Sequence, residues 1–588
     1  MTEYFEVHAR DGAARLGELR LESPRTTPAL VDDCLEDGGS RWAADRPLPE
    51  GDESTLTVLP HRGFPGGTAE EVQESFAVDY PDVSYPSVAV VSSEHVADHG
   101  TDAYAVSDVQ SIVGHGAALV EAVVRIREAT PADTALLFSG VATPRNVALL
   151  AYAGVDCVDA ARAIAKGTQG KYLTTESEYF LEDLEELPCA CPACRGPREE
   201  FTTVDCVEHN RNALAAQLAI VRQRIRDGRL RDYLEGQARQ NQWLTAAMRE
   251  LDSQWEYLEE RTPILREADL DAATQDTLRR VEIQRFADRV TSRYRNRFDA
   301  PLVLVPCSAR KPYSESQSHT QFHRAIKWRA HLVSMTSPIG VVPQELETTY
   351  PAQHYDTVVT GRWSADETDF VARVLERYLE RNDYPRIVAH VPDEGYRDIV
   401  ERVEAELDLE VTYTVDSGSH PTDDASLEAL SEALAGEPAY QKREREHNTV
   451  CAIADYLLGD GAGDDLFPAF RTTSRYPRLQ VRDTDPDETQ LATMVPQYGT
   501  LSFTLEGARR WVESDAPTKR VEIDGFVPKG SVLAPGVVDA DDDIRVGDEV
   551  VVEGPRAFGI ARAEMFGREM VESTRGVACE IRHVEELD

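Results

Sequence analysis

Residues 134–167 read TALLFSGVATPRNVALLAYAGVDCVDAARAIAKG, an order of apolar runs that indicates an α/β protein. The run at 135–138 is short enough for a buried strand, and the segment after it has the apolar spacing of a helix. A second short apolar run, 155–158, precedes another helical pattern. The same alternation starts upstream with SVAVVSS (87–93) and GAALVEAVVRIREA (116–129). Strands that alternate with helices predict a parallel sheet, either open or closed into a barrel.

Other patterns flank this region. The first 33 residues alternate in hydrophobicity around Asp11-Gly12, which predicts a hairpin. Residues 208–292 are expected to be almost wholly helical. A second α/β unit with an open sheet is predicted for 298–425, a small mixed unit for 429–514, and a small β-barrel for 516–588. The fold class is therefore a multidomain α/β protein, whose first predicted domain spans 1–292.

The charge of the chain is unusual. Its 588 residues include 105 acidic and 62 basic residues, for a formal net charge of −43. Seven of the basic residues are lysines, and the rest are arginines. Such a surface is typical of a protein from the high-salt cytoplasm of a halophile. A basic partner is the alternative explanation. A nucleic-acid ligand is not excluded, but it requires a local basic patch.

Targeting signals are not evident. The N-terminus lacks an apolar signal core, and no stretch approaches the ~18 apolar residues of a membrane span. We therefore expect a cytoplasmic protein that makes no membrane contact.

A cysteine cluster predicts a metal site. Cys189, Cys191 and Cys194 lie within six residues, and His209 follows at the start of a helical pattern. Three thiolates and one imidazole form a closed tetrahedral Zn²⁺ site, which is the usual structural arrangement. Three reduced cysteines in a loop are the alternative, and Cys206 is a weaker choice for the fourth ligand.

The most reactive set of side chains lies in residues 306–319, PCSARKPYSESQSH. This segment follows the apolar strand PLVLV, and ligands bind at the carboxyl ends of strands in open α/β sheets. It offers a thiol, an ammonium group, a phenol, hydroxyls and an imidazole. A polar loop with a buried cysteine is the alternative to a catalytic site.

Two resemblances follow from these motifs. The segment from GVDCVDAARAIAKG through CACPAC to EHNRNAL resembles the zinc region of archaeal tRNA-guanine transglycosylases, which implies a TIM-barrel-like domain with a zinc loop. By matching position, Asp159 corresponds to the nucleophilic aspartate of that family. The DSG segment that carries the family's other catalytic groups is not found. The resemblance therefore implies a degenerate barrel in which Asp159 is either a retained catalytic residue or an ordinary loop carboxylate.

The pattern PCSxxKPYxxSxxH resembles the signature of the archaeosine synthase family, in its alpha subunit. The segments SPIGVVPQELETTYPAQHYDTVVTGRW and TDPDETQLATMVPQYGTLSFTLEGARRW agree with it, and the final 70 or so residues resemble a PUA domain. The resemblance implies an enzyme that acts on tRNA carrying 7-cyano-7-deazaguanine at D-loop position 15 and adds an amine, with lysine as the expected donor, to the nitrile. A radical-SAM partner subunit would then complete archaeosine.

Roles are assigned to the residues of this motif as expectations. Cys307 would add to the nitrile carbon and form a thioimidate, unless the amine attacks directly and Cys307 only packs. The remaining catalytic candidates are Lys311, Tyr313, Ser316 and His319, as proton donors, as groups that lower the Cys307 pKa, or as hydrogen-bond partners. The substrate-binding candidates are Ser308, Glu345, His354 and Asp356.

RNA contacts are expected from the C-terminal domain, through Lys519, Arg520, Arg545, Arg556 and Arg562, because arginine binds phosphate in a bidentate manner. A solvated barrel face is the alternative. Two other functions remain open: a transglycosylase that inserts 7-cyano-7-deazaguanine, and a non-catalytic tRNA-binding subunit. The missing DSG segment argues against the first, and the Cys-Lys-Tyr-His loop argues against the second.

Overall fold

A computed structural model describes residues 3–357, 362–393 and 395–587. The chain forms two compact units, each assembled from more than one segment. The first comprises Met1–Pro263, Val532–Val546 and Glu564–Ala578, and the second comprises Ile264–Ser531, Gly547–Ala563 and Cys579–Asp588. The four domains expected from the sequence stay a prediction.

The first unit opens with a three-stranded antiparallel sheet. Its strands are β1 (Phe5–Asp11), β2 (Ala14–Leu19) and β3 (Arg25–Thr27). Gly12 takes a positive φ of 66° in the turn between β1 and β2, a conformation that glycine adopts without steric cost. The structure therefore contains the hairpin that the alternation around Asp11-Gly12 predicts.

A seven-stranded sheet follows, in the order β4-β10-β9-β8-β7-β6-β5. All of its neighbours are parallel, and it forms a half-barrel sheet. The strands are β4 (Ala29–Leu30), β5 (Leu35–Asp37), β6 (Leu56–Val58), β7 (Ser87–Val91), β8 (Ala103–Val106), β9 (Ala135–Phe138) and β10 (Cys157–Val158). The helices between and after them are α1 (Glu70–Ser75), α2 (Val109–Ile112), α3 (Gly116–Ala129), α4 (Val147–Ala153) and α5 (Ala161–Thr168).

A buried ion network ties the hairpin to this sheet. The Arg15 guanidinium donates to Asp156 from Nε at 3.0 Å, and Arg127 donates to the same carboxylate. Burial alone would raise the pKa of Asp156, but the two arginine charges outweigh burial and hold this pKa below its usual value. A buried carboxylate that loses such partners costs several kcal/mol. The network therefore joins β2, α3 and the segment before β10.

The rest of the first unit up to residue 263 is mostly helical. A short antiparallel pair, β11 (Lys171–Leu173) and β12 (Glu178–Phe180), precedes α6 (Thr203–Arg226), α7 (Leu230–Ala238), α8 (Gln242–Asp252) and α9 (Trp255–Arg261). Thr202 begins α6 with a capping box that includes Asp205. The expected helical run is interrupted at 262–280, which contains one short strand and a 3₁₀ turn.

The second unit contains a five-stranded sheet in the order β16-β15-β14-β18-β19. Every pair is parallel except β15 with β16. In chain order the elements are β13 (Leu270–Asp271), α10 (Val281–Ser292), β14 (Leu302–Pro306), α11 (Gln317–Ile326), β15 (His331–Thr336), β16 (Gly340–Pro343), β17 (Tyr355–Asp356), α12 (Ala365–Arg381), β18 (Ile387–Ala389), α13 (Tyr396–Leu407) and β19 (Val411–Tyr413).

The sequence patterns do not indicate β15. The described start of YDTVVTGRW forms β17, which pairs with β13. Residues 358–361 of that segment lie outside the described residues.

An α-helical layer and an antiparallel sheet follow. They comprise α14 (Asp424–Ala433), α15 (Lys442–Leu458), α16 (Ala462–Leu466), β20 (Arg471–Thr473), β21 (Gln480–Arg482), β22 (Gln490–Val495), β23 (Thr500–Phe503) and α17 (Leu505–Glu513). Leu430 of α14 shares a buried cluster with Val303 and Val305 of β14. The helix α14 therefore covers one face of the five-stranded sheet.

The C-terminal elements are β24 (Arg520–Ile523), β25 (Ser531–Leu533), β26 (Val537–Ala540), β27 (Glu549–Gly554), β28 (Ala557–Ala563), α18 (Gly567–Glu572) and β29 (Val577–Glu586). Within the second unit, β27 lies parallel to β24 and antiparallel to β28, which pairs with β29. These strands, with the two sheets above, confirm a multidomain α/β fold. Among the described residues, no helix combines the length and the apolar character needed to cross a bilayer.

Candidate functional site

The loop 307–316 leaves the carboxyl end of β14, the central strand of the five-stranded sheet. Its first residue is fixed to the neighbouring strand, because the Cys307 amide donates to the Met335 carbonyl at 3.1 Å. Its last residue, Ser316, caps α11 by accepting from the His319 amide at 3.2 Å. Both ends of the loop are therefore anchored to regular structure.

The Cys307 thiol is half-buried and lies against a phenol from a distant part of the chain. Its Sγ is 3.2 Å from Tyr396 Oη, at the start of α13. Burial and the neighbouring Cys307 raise the pKa of Tyr396, so this phenol keeps its proton. A protonated Tyr396 can donate a hydrogen bond to the sulfur.

The Lys311 ammonium sits over the ring of Tyr355, with Nζ 3.7 Å from the ring centroid. Burial lowers the pKa of Lys311, while Cys307, Asp356 and Asp269 oppose that shift. The thiol and the ammonium group are therefore close enough to interact electrostatically. A lysine whose pKa falls from its usual value becomes a better proton donor near neutral pH.

Tyr313 lies beneath these groups and is fully buried. Its hydroxyl is 2.6 Å from Tyr355 Oη, which is in turn 2.7 Å from Thr336 Oγ1. Burial raises the pKa of Tyr313, so it remains a neutral phenol. Tyr313 is therefore better placed to hold the Tyr355 ring under Lys311 than to transfer a proton directly.

His319 is enclosed as well, with 1% of its surface exposed. Its Nδ1 lies 3.1 Å from Ser316 Oγ and its Nε2 lies 3.1 Å from Ser334 Oγ. Burial lowers the pKa of His319 to about 3. The imidazole is thus neutral near pH 7, which does not fit the expected roles of proton donor or positive neighbour of Cys307. Ser316 and His319 instead hold α11 against β15.

The substrate-binding candidates separate into two groups. Asp356 is exposed and its charge reaches Lys311, so it lies on the same side of the sheet as the reactive loop. Ser308 is half-buried in that loop. His354 immediately precedes β17. Its ring stacks 5.6 Å from the Tyr498 ring, and burial lowers its pKa.

Glu345 does not belong with this group. Its Oε2 is 3.0 Å from His331 Nε2 and 3.3 Å from the hydroxyl of Tyr294. His331 begins β15 opposite Leu302, the first residue of β14, whereas Cys307 follows the last. The carboxylate therefore lies at the opposite end of the sheet and takes part in a buried network, which does not suit contact with a substrate bound at the loop.

The four predicted metal ligands converge. The ligand atoms of Cys189, Cys191, Cys194 and His209 all lie within 4.8 Å of one another. The Nε2 of His209 is 2.9 Å from the Leu173 carbonyl, which leaves Nδ1 directed toward the sulfurs, 3.4 Å from Cys194 Sγ. Tyr172 stacks on the imidazole at 3.7 Å. This donor set, with its ring orientation fixed from behind, fits a tetrahedral metal ion.

The environment of the Asp159 carboxylate differs from that of an accessible nucleophile. It is buried, and its carboxylate accepts from Ser139 Oγ, from the Gly140 amide at 2.8 Å and from the Ala161 amide at 3.1 Å. These contacts join the end of β10 to the segment after β9 and to the start of α5. They favour the structural interpretation of Asp159.

The predicted RNA-contact residues differ in accessibility. Lys519 is buried and paired with Asp548, so it does not suit the expected contact with RNA. Arg545 binds Glu259 at 2.7 Å, and Arg562 lines a small internal cavity. Arg520 and Arg556 are exposed. Arg520 pairs with Glu553 at 3.3 Å, and Arg556 pairs with Glu586 at 2.7 Å. Only these two fit an accessible phosphate contact.

Tyr355 and Tyr396 are the site residues that the sequence analysis missed. Both contact the loop from elsewhere in the chain, 42 and 89 residues from their respective partners Tyr313 and Cys307. A signal for Tyr396 was available, because it follows β18, whose carboxyl end must lie at the same sheet edge as that of β14.

Family models match four consecutive stretches of the chain. Residues 83–242 match queuine tRNA-ribosyltransferase, and residues 283–434 match a domain of unknown function. Residues 448–517 match the patch-forming domain C2 of tRNA-guanine transglycosylase, and residues 520–584 match the PUA domain.

Curated relatives extend over the whole chain. Archaeosine synthase of Haloferax volcanii is 66% identical over 588 residues, which is 100% of both chains. Archaeosine synthase subunit alpha of Methanosarcina acetivorans is 39% identical and also covers 100% of both. The tRNA-guanine(15) transglycosylase of Methanothermobacter thermautotrophicus is 28% identical, over 79% of this chain and 68% of its own length.

Proposed function

This chain belongs to the archaeosine synthase family of tRNA-modifying transferases, and from that premise we propose how its own residues act. The matches confirm the expected resemblance, including the transglycosylase-like region and the C-terminal PUA domain. We propose that the substrate is tRNA with 7-cyano-7-deazaguanine at D-loop position 15. The reaction adds an amine to the nitrile, and lysine is the donor.

One observation carries the proposal. The half-buried Cys307 thiol lies at the carboxyl end of the central strand with Tyr396 Oη at 3.2 Å, and the Lys311 ammonium of the same loop lies over the Tyr355 ring. A nucleophile, a hydrogen-bond donor to that nucleophile and a proton source are thereby assembled at one sheet edge. Addition of a thiol and then an amine to a carbon–nitrogen triple bond requires these three groups.

The Cys307 thiolate bonds to the nitrile carbon, and the nitrile nitrogen takes a proton from Lys311, which gives a thioimidate. The amine of the donor then bonds to the same carbon and gives a proton to Lys311, which the first step left neutral. The carbon–sulfur bond breaks, the thiolate leaves, and an amidine remains on the base. Direct attack by the amine, with Cys307 only packing, is the competing route.

The cysteine–histidine cluster has a separate role in this proposal. The group that fits it is Zn²⁺, held by Cys189, Cys191, Cys194 and His209. Four protein ligands leave no open position, so the ion would stabilise the fold of its loop and not take part in the chemistry. We also propose that the protein acts in the cytoplasm, together with a radical-SAM partner that processes the adduct.

Incubation of the protein with nitrile-bearing tRNA and labelled lysine tests the function. We expect label in the tRNA, and none when the tRNA carries guanine at the same position. Incorporation of labelled 7-cyano-7-deazaguanine into unmodified tRNA would instead demonstrate base exchange. Tight tRNA binding with neither product would identify a non-catalytic subunit and overturn the proposal.

A further inference from the structure

A second concave site lies in the second unit, beside the reactive loop. It is a cavity of about 540 Å³, within the range of ligand pockets. The cavity is lined by Ser314 from the reactive loop, by Arg324 from α11 and by Arg445 from α15. None of the residues assigned above to nitrile addition lines it.

The cavity is positively charged, in contrast to the chain as a whole. Arg324, Lys327 and Arg445 line it, and Glu347 is the one acidic residue among its lining side chains. Burial raises the pKa of Glu347, which accepts from the Ser314 amide at 2.8 Å and from Tyr476. In a chain with a net charge of −43, three cations on one concave wall select an anion.

Two of these cations have no competing partner. The side chains of Arg324 and Lys327 are exposed and form no hydrogen bond or ion pair with the part of the chain that the structure describes. Lys327 is also one of the seven lysines of the protein. Both groups are therefore free to contact phosphate oxygens.

An aromatic surface adjoins the cations. Trp328 is 38% exposed, and the Arg445 guanidinium lies 4.4 Å from the centroid of its ring and 5.6 Å from that of Tyr476. Lys327 and Trp328 have positive φ values of 55° and 61°. Left-handed backbone is strained for residues other than glycine. The turn nevertheless holds the Lys327 amino group and the Trp328 indole together at the cavity.

We propose that this cavity receives one unstacked nucleotide of the RNA substrate, with its phosphate on Arg324 and Lys327 and its base against Trp328 and Arg445. Single-stranded RNA is bound by such a combination of cations with aromatic and guanidinium planes. The inference rests on the proposed function only in taking tRNA as the RNA. A free mononucleotide has the same chemistry, so the experiment must separate the two sources.

The test measures tRNA affinity and its salt dependence in three single variants of the full chain. Trp328→Leu should weaken binding about tenfold with an unchanged salt dependence, because stacking is lost. Arg324→Gln should weaken binding and lower the slope of log Kd against log salt by about one, because one phosphate contact is lost. Arg443→Gln, an exposed arginine on α15 outside the cavity, should change neither.

Each outcome decides the matter. Unchanged affinity and slope in both cavity variants, with melting temperatures like that of the unaltered protein, would overturn the proposal. So would saturable binding of free AMP or UMP that both variants abolish while tRNA affinity stays the same, since the ligand is then a free nucleotide. Adduct formation at saturating tRNA is measured in parallel. If the unaltered protein forms no adduct but the variants weaken tRNA binding, the proposed function fails and the nucleotide site stands.

Discussion

Cys307 and Lys311 are four residues apart in the chain, but their chemistry depends on phenols that arrive from other elements. Tyr396 contacts the sulfur, and Tyr355 lies under the ammonium group. Neither contact could be deduced from the motif itself, because Tyr355 lies on β17 and Tyr396 begins α13.

Covalent catalysis by Cys307 makes a direct prediction. Without an amine donor, the protein should accumulate a covalent species with nitrile-bearing tRNA, visible as a mass increase on denaturing electrophoresis. Cys307→Ala and Cys307→Ser should abolish both this species and turnover while tRNA affinity is retained. Near-normal turnover in both variants would rule out the thioimidate and favour direct attack by the amine.

Lys311 is expected to supply the proton to the nitrile nitrogen. Lys311→Met should slow adduct formation by about 10²- to 10⁴-fold, the usual effect of losing a general acid. The affinity for tRNA should stay unchanged. Arg310→Gln is the matched control, since Arg310 is an adjacent exposed cation paired with Glu315 at 2.9 Å. Equal losses in both variants would show a general charge effect and not proton transfer.

The buried imidazole of His319 should make the free energy of unfolding depend on pH. Burial lowers its pKa to about 3, whereas an unfolded histidine titrates near 6.5. Between these values the unfolded chain binds a proton that the folded chain does not. Its contribution is therefore complete above about pH 6.5 and is lost as the pH falls, by about 1.4 kcal/mol per pH unit.

Unfolding of the His319→Asn variant checks this sign. Its free energy of unfolding should fall less steeply between pH 6.5 and 4 than that of the unaltered protein, by one proton's slope. His420→Asn, at an exposed position, should keep the original slope. If the His319→Asn variant keeps the original slope of unfolding free energy against pH, the imidazole of His319 is not the neutral, buried group described above.

At the scale of elements, the loop with the four predicted zinc ligands makes a prediction that can be tested separately. The purified protein should contain about one Zn²⁺ per chain, and Cys194→Ala should remove the metal and lower the melting temperature. Cys206→Ala should retain zinc, because Cys206 is buried outside the group of four ligands. Retention of metal in Cys194→Ala with its loss in Cys206→Ala would exchange the two assignments.

The elements show where sequence patterns succeed. The apolar run PLVLV predicts β14, and the spacing of Cys189, Cys191, Cys194 and His209 predicts their convergence, since these signals are local. Strand β15 was missed because HLVSMT carries polar His331 and Ser334, which are both buried and bonded to partners elsewhere. The position of Glu345 could not be predicted for a related reason. Nearness in sequence does not show at which end of a sheet a residue lies.

At the scale of the whole molecule, the net charge of −43 predicts a dependence on salt. The Debye length falls from about 10 Å at 0.1 M to about 3 Å at 1 M, which weakens repulsion between surface carboxylates. The melting temperature should therefore rise when KCl increases over this range. An uncharged osmolyte at matched osmolality is the control, and a melting temperature that is flat in KCl would contradict the electrostatic origin.

The interleaved order of chain segments has a consequence for biosynthesis. Residues 532–546 and 564–578 complete the first unit, whereas 547–563 and 579–588 complete the second. A ribosome must therefore have translated more than five hundred codons before either unit has all of its parts. We expect nascent chains stalled before this point to remain protease-sensitive throughout, including the half whose codons were read first.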